Sequence, residues 1–369
     1  MKYFYGFDEE SIPFGIKALF WGLYMVVVFY AVWKVKLAAP KDKRNVKVGK
    51  LFMLFFAGYA VFYCVNPDYF NYREWMEFTF YDWNKERIYP YIVVFCRSLP
   101  FGYPYEMFRL VVWGGALLLV FRLVRLYRSL LMPGLAVLLL FVFYSGTFCY
   151  ARASLAMAVF FMGIGIHLWA KGPRDKILGM ALAICSYYFH HEMIIAIVLL
   201  PSILLPFEKK GTGILSLVLL AIAVVVFSHI NSSPDLMETI FGDDNLAEQI
   251  EQYSEQEQGA FRMSTLVKYL NIFYPFFLIT KVFRRQINLP GAMAGIYRIT
   301  YALLLATMAF FVVSGSRSVY TYRVMYIMII PVSILVTYCY NQGFLKKHQI
   351  VIMLVLAVLT NSVRLINSI

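Results

Sequence analysis

The sequence predicts an all-α polytopic membrane protein, and three observations carry that prediction. Of 369 residues, 61% are hydrophobic and only 15% are charged, with a mean hydropathy of +0.67, far from the balance of a soluble domain. About a dozen apolar stretches, each long enough to approach a membrane crossing, run from Phe14 to Ile366. The basic residues between them gather in alternate loops, as the sidedness of a bilayer requires. No room is left for a separate soluble domain, so residues 1–369 read as a single transmembrane domain.

Helices are expected near 14–33, 49–65, 105–121, 131–149, 153–170, 176–189, 191–206, 213–229, 266–281, 297–313, 324–341 and 349–366. Segments of this length suit a hydrocarbon core of about 30 Å, some of them with little to spare. Phe14 to Trp33 is too long for a signal-peptide core and lacks a small-residue cleavage site, so it reads as the first membrane helix. The first loop carries Lys34, Lys36, Lys41, Lys43, Arg44, Lys47 and Lys50 and is taken as cytoplasmic. Both termini then lie outside, on the periplasmic side if the cell is a bacterium with two membranes. The inner loops that follow (34–50, 122–130, 171–176, 207–212, 281–298 and 342–348) hold 21 Lys/Arg and three acids, Asp42, Asp175 and Glu208. The net charge of +13 is thus an orientation signal and not a nucleic-acid patch.

Two long apolar stretches must each cross twice. Residues 132–171 have basic ends on the same side and turn near Phe148 to Arg152. Residues 176–207 form two short helices turning at Phe189-His190-His191-Glu192, below the outer surface. Two outer segments break the helical rhythm. Segment 66–104 is a polar, aromatic loop followed by the apolar run Ile88 to Leu99, too short to cross, so it reads as a re-entrant or interfacial hairpin. Segment 230–264 is an acidic loop in which Leu246, Ile250 and Tyr253 recur at helical spacing, an amphipathic helix over the outer mouth. The five cysteines are scattered in apolar surroundings without a C-x-x-C pair and read as small core residues.

The same topology gathers charged residues on the outer face that orientation does not explain. Arg152 stands at the head of a helix, where guanidinium and helix N-terminus together suit a phosphate. Arg317 and Arg323 flank an outer turn containing Ser318, Tyr320, Thr321 and Tyr322, a set able to grip a phosphate and a sugar. His190 and His191 precede Glu192; no third ligand stands at a metal-binding spacing, so no metal is expected there. An acid/base role, a hydrogen bond to a sugar hydroxyl or phosphate, or a plain packed histidine are the readings left for His190. Asp68 opens a segment with Tyr69, Tyr72 and Arg73, and Glu86 precedes the short apolar run. These carboxylates are a base, a sugar ligand, or salt-bridge partners of the outer arginines; Arg73 and Glu192 rank as secondary.

Asp68-x-x-x-Tyr72, Glu86, Arg152-x-x-Leu155-Ala156, His190 and the turn from Arg317 to Arg323 occur in an order that resembles the EpsG-like family of Wzy-type polysaccharide polymerases, over about Asn66 to Tyr340. The resemblance implies a bacterial inner-membrane glycosyltransferase of GT-C-like helical fold, with its active site facing the periplasm. Such enzymes join undecaprenyl-pyrophosphate-linked oligosaccharide repeat units into O-antigen, capsule or exopolysaccharide. Donor and acceptor are both lipid-linked glycans in the membrane; no cofactor, metal or nucleic acid is implied, and a chain-length regulator and a flippase are the expected protein partners. Arg152, Arg317 and Arg323 would hold the pyrophosphate and His190 or Asp68 would activate the acceptor. Tyr72, Glu86, Arg73, Tyr320 and His191 would be further substrate contacts. An O-antigen ligase, a lipid-linked oligosaccharide flippase and a membrane acyltransferase are the competing classes.

Overall fold

Proline and charge mark where the helices start. A computed structural model of the chain describes residues 12–37, 44–64, 76, 88–100, 102–144, 151–209, 211–231, 263–286, 288–314 and 319–367. The helices are α1 (Phe14–Leu37), α2 (Arg44–Phe62), α3 (Tyr89–Ser98), α4 (Pro104–Leu126), α5 (Pro133–Tyr144), α6 (Ala151–Trp169) and α7 (Pro173–Cys185). They continue as α8 (Ile194–Val198), α9 (Gly213–Asn231), α10 (Met263–Phe283), α11 (Gly291–Ser314), α12 (Val319–Ile327), α13 (Ile329–Asn341) and α14 (Lys347–Asn367). No strand occurs among the described residues. Pro104, Pro133 and Pro173 each open a helix, where the missing N–H has no intrahelical partner to lose. Gly343, at φ +76°, ends α13: the Phe344 N–H reaches back to the Cys339 carbonyl at 2.8 Å, closing the helix with a left-handed residue.

Two helices are apolar all round and lie at the centre. Every residue from Leu131 to Phe143 is buried, as is every residue from Val324 to Cys339, and α5 packs directly against α13. A helix without a polar face has to be enclosed, and here α1, α2, α6, α10, α11 and α14 enclose them. Polar side chains then stitch the bundle where helix ends leave carbonyls open. Asn361 of α14 donates to the Val142 carbonyl at 3.1 Å and to the Tyr24 hydroxyl at 2.9 Å. Val142 lies in the last turn of α5, whose carbonyls have no N–H ahead of them to accept from.

Five helices among the described residues are long and apolar enough to cross a membrane: Phe14–Trp33, Pro104–Leu126, Arg152–Trp169, Gly291–Val313 and Val324–Asn341. Six more apolar segments are shorter, among them Pro133–Phe143, His191–Leu204 and Lys347–Ser362. The expected helix at 191–206 is in fact three pieces: a 3-10 turn His191–Met193, α8, and a 3-10 stretch Leu200–Leu204. Pro201 has no N–H for the Ile197 carbonyl, which stops α8 from continuing. The expected helix at 324–341 starts earlier, at Val319, and is interrupted at Met328. Pro331 is the cause, since its ring displaces the carbonyl of Ile327, four residues before it. The acidic segment 232–262, the turn 145–150 and residues 66–75 and 77–87 lie outside the described residues.

Candidate functional site

The α6–α7 pair sets the geometry of the site. Gly163 of α6 and Gly179 of α7 face each other so closely that a Cβ on Gly163 would lie 2.5 Å from the Ala183 nitrogen and 2.6 Å from the Gly179 carbonyl oxygen. Main chain meets main chain, which only glycine permits. From that contact α6 rises towards Arg152 while α7 runs antiparallel towards His190. Equal steps along both helices bring His190 level with the first turn of α6, and the 3-10 turns on either side of His190 do pack against α6.

The turn itself is built by hydrogen bonds of its own main chain. After α7 a 3-10 turn, Ser186–Tyr188, takes the N–H groups of Phe189 and His190 onto the Ser186 carbonyl, both at 3.1 Å. His190 is extended (φ −160°, ψ 116°), and its carbonyl accepts from the Met193 N–H at 3.0 Å to start the return arm. His190 Nε2 lies 3.1 Å from Glu192 Oε2, and the two side chains keep only 13% and 8% of their surface exposed. The His191 ring stands 5.2 Å from that of His190. Each arm of the hairpin is roughly 25 Å long, short of the ~30 Å hydrocarbon core of a bilayer.

Arg152 is the second residue of α6 and is half-buried. Its carbonyl accepts a 2.8 Å hydrogen bond from the Tyr89 hydroxyl, so the first turn of α3 is tied to the first turn of α6. At its other end α3 holds Met76: the Arg97 Nε donates to the Met76 carbonyl at 2.8 Å, and Nη2 donates to the same oxygen. Tyr89, Val93 and Cys96 bury one face of α3 while Tyr91, Val94 and Phe95 leave the other exposed. The short helix is therefore a strut between the head of α6 and the segment that carries Asp68, Tyr72, Arg73 and Glu86. Those four residues, and Arg317, lie outside the described residues. Tyr320 and Arg323 fall on α12, which packs along α11, itself in contact with α6; only their backbone is described.

Below the strut, Glu106 and Arg109 are buried one turn apart on α4. The Arg109 guanidinium donates to the Ala60 carbonyl, in the last turn of α2, and sits 5.7 Å over the Tyr105 ring. Sequence reasoning ranks Glu192 as secondary and assigns no role to Tyr89, Glu106 and Arg109. Glu192 stands two residues from His190, and a charge inside an apolar span is a visible signal for Arg109 and Glu106. Nothing in the spacing marks Tyr89, whose partner is a main-chain carbonyl 63 residues away.

The comparison with known families decides the kinship: the family model described as the EpsG family matches residues 48–368. The chain belongs to the EpsG family. The match begins in the second turn of α2 and runs through α14; among the described helices α1 lies outside it. Neither curated proteins nor solved structures gave a match. Membership of the EpsG family, with helices able to cross a bilayer, makes this a membrane protein with a polysaccharide polymerase-type function that deals in lipid-linked sugars.

Proposed function

We propose that this EpsG-family protein is a glycosyltransferase of the bacterial inner membrane that joins undecaprenyl-pyrophosphate-linked repeat units at the periplasmic face, within a bundle of about twelve crossings of GT-C-like form. The observation that carries this reading is the contact between His190 and Glu192 in a turn level with Arg152. An ionised carboxylate only accepts hydrogen bonds, so Glu192 assigns the proton to Nε2 and leaves Nδ1 as the basic nitrogen. The arrangement is that of a base held by an orienting carboxylate.

The step follows from those roles. The acceptor sugar hydroxyl attacks the anomeric carbon of the donor and gives its proton to His190 Nδ1. The bond between that carbon and the pyrophosphate oxygen breaks, and the electron pair leaves on the pyrophosphate. Glu192 offsets the charge of the imidazolium. Arg152, Arg317 and Arg323 offset the charge growing on the leaving group, an effect that is large in a site withdrawn from water. Asp68 is the alternative base; Tyr72, Arg73, Glu86, Tyr320 and His191 are assigned to the sugars and the pyrophosphate. The hairpin arms are shorter than the hydrocarbon core, which sets His190 below the outer surface, at the depth of a lipid-linked pyrophosphate.

The decisive experiment is turnover of a purified undecaprenyl-pyrophosphate-linked repeat unit by the full chain in nanodiscs. A ladder of longer glycans is the expected product, lost in Arg152→Ala and His190→Ala. A wild-type protein that moves the lipid between leaflets and makes no ladder is a flippase instead, and the proposal fails.

A further inference from the structure

Five buried hydroxyls on the long helices share one habit. Thr300, Thr307, Ser333, Thr337 and Thr360 each donate to the carbonyl four residues earlier on their own helix, at 2.6 to 2.9 Å. Thr321 breaks it. Its side chain is fully buried, and its Oγ1 has no hydrogen-bond partner among the described residues. Its position differs from theirs: α12 begins at Val319, so the residue four before Thr321 is Arg317, two places ahead of the helix. A buried hydroxyl without a partner is costly, and natural folds keep few of them.

Thr321 is the third residue of α12, a helix of nine residues. The first N–H groups of a helix have no acceptor within it, and their dipoles leave a partial positive charge there. Cα–Cβ bonds tilt towards a helix N-terminus, so the Thr321 hydroxyl and those N–H groups face the same end. A ligand that satisfies them accepts several hydrogen bonds at once and carries negative charge.

We propose that the Thr321 hydroxyl and the first-turn N–H groups of α12 form a binding site for phosphate oxygens, and that its occupant is the pyrophosphate of the lipid-linked donor. The identity of the occupant rests on the polymerase reading given above. The site makes Thr321 a specificity-determining residue: its hydroxyl supplies the lipid pyrophosphate with a neutral donor that no arginine replaces.

The test uses the full-length protein in nanodiscs, with undecaprenyl pyrophosphate as probe and Thr321→Val and Thr321→Ser as variants. Valine keeps the shape and removes the hydroxyl; serine keeps the hydroxyl. A hydrogen bond to a charged group corresponds to about 10- to 100-fold in affinity, so T321V is expected to bind the probe weaker by that factor and T321S to stay within about threefold. In the unliganded protein the sign reverses, because T321V removes an unsatisfied group and melts no lower than wild type. Wild-type binding left unchanged in T321V overturns the site and spares the polymerase reading. Loss of affinity together with a lowered melting temperature in T321V also overturns the site, by making Thr321 a packing residue. A wild type that does not bind undecaprenyl pyrophosphate removes the polymerase reading, and the occupant with it.

Discussion

At the scale of single residues, two acidic side chains carry separable predictions. Glu192→Gln keeps the shape of the His190 contact and lets Nε2 meet an amide, which no longer fixes the tautomer or offsets an imidazolium. The expected result is a fall in turnover of about 100-fold or more with little change in KM, within the range of lost general-base catalysis; unchanged kcat would show that Glu192 only packs. Glu208, in the loop before α9, is paired with Arg298 of α11: Arg298 Nε donates to Glu208 Oε2 at 3.0 Å, and Nη2 donates to Oε1. Burial raises the Glu208 carboxyl, but the hydrogen bonds and charge of Arg298 outweigh it and hold the group below the usual carboxylate value. A depressed folded value stabilises the protein above the unfolded pKa and loses that contribution as pH falls through the folded one. Glu208→Gln is therefore expected to melt lower than wild type near pH 7, with the gap closing as the medium is acidified below the carboxylate range. Melting curves at several pH values check this, and a gap that is constant with pH would contradict it.

At the scale of elements, the close pair Gly163–Gly179 is the sharpest constraint. Gly163→Ala drives a methyl into main-chain atoms that cannot rotate away, so α6 and α7 must separate. A cost of about 1–3 kcal/mol is expected from such overpacking, with activity falling alongside it because His190 and Arg152 lose their common level. Gly114→Ala on α4 is the control. Nothing lies within 4 Å of its added Cβ, and alanine in a helix gains about 0.5–1 kcal/mol over glycine. Thermal melts of the two variants should move in opposite directions. The elements were also the most legible part of the sequence. Hydropathy and basic loop ends locate α4 and α9 to within a few residues: 105–121 against Pro104–Leu126, and 213–229 against Gly213–Asn231. The misses at Pro201 and Pro331 come from reading apolar length alone, when proline sets where an α-helix can continue. Of the proposed site, the sequence offered residue types and an order along the chain, and the structure brings the His190 turn against α6, the helix that Arg152 heads. Its wiring was not legible, because Tyr89, Arg97 and Arg109 all bind main-chain carbonyls, and a carbonyl has the same signature at every position.

At the scale of the whole molecule, orientation is the property that every other assignment depends on. With the loops rich in Lys and Arg taken as the inner side, as the positive-inside rule proposes, the hairpin turn, the head of α6 and the start of α12 fall on the outer side. An alkaline phosphatase fusion placed in segment 232–262 is expected to be active, and one placed between α13 and α14 inactive. The reverse pattern would turn the molecule over and move His190 and Arg152 to the cytoplasm. Within that frame the core is built from the inside out. The buried helices α5 and α13 form a fixed centre, whereas α3, α7 and the His190 turn are short pieces set around it. Tyr89 grasps the main chain at position 152, so this hydrogen bond of the strut does not depend on which side chain stands there. The guanidinium at that position is thus separable from the scaffold that presents it: removing it takes away its chemistry and leaves the strut standing.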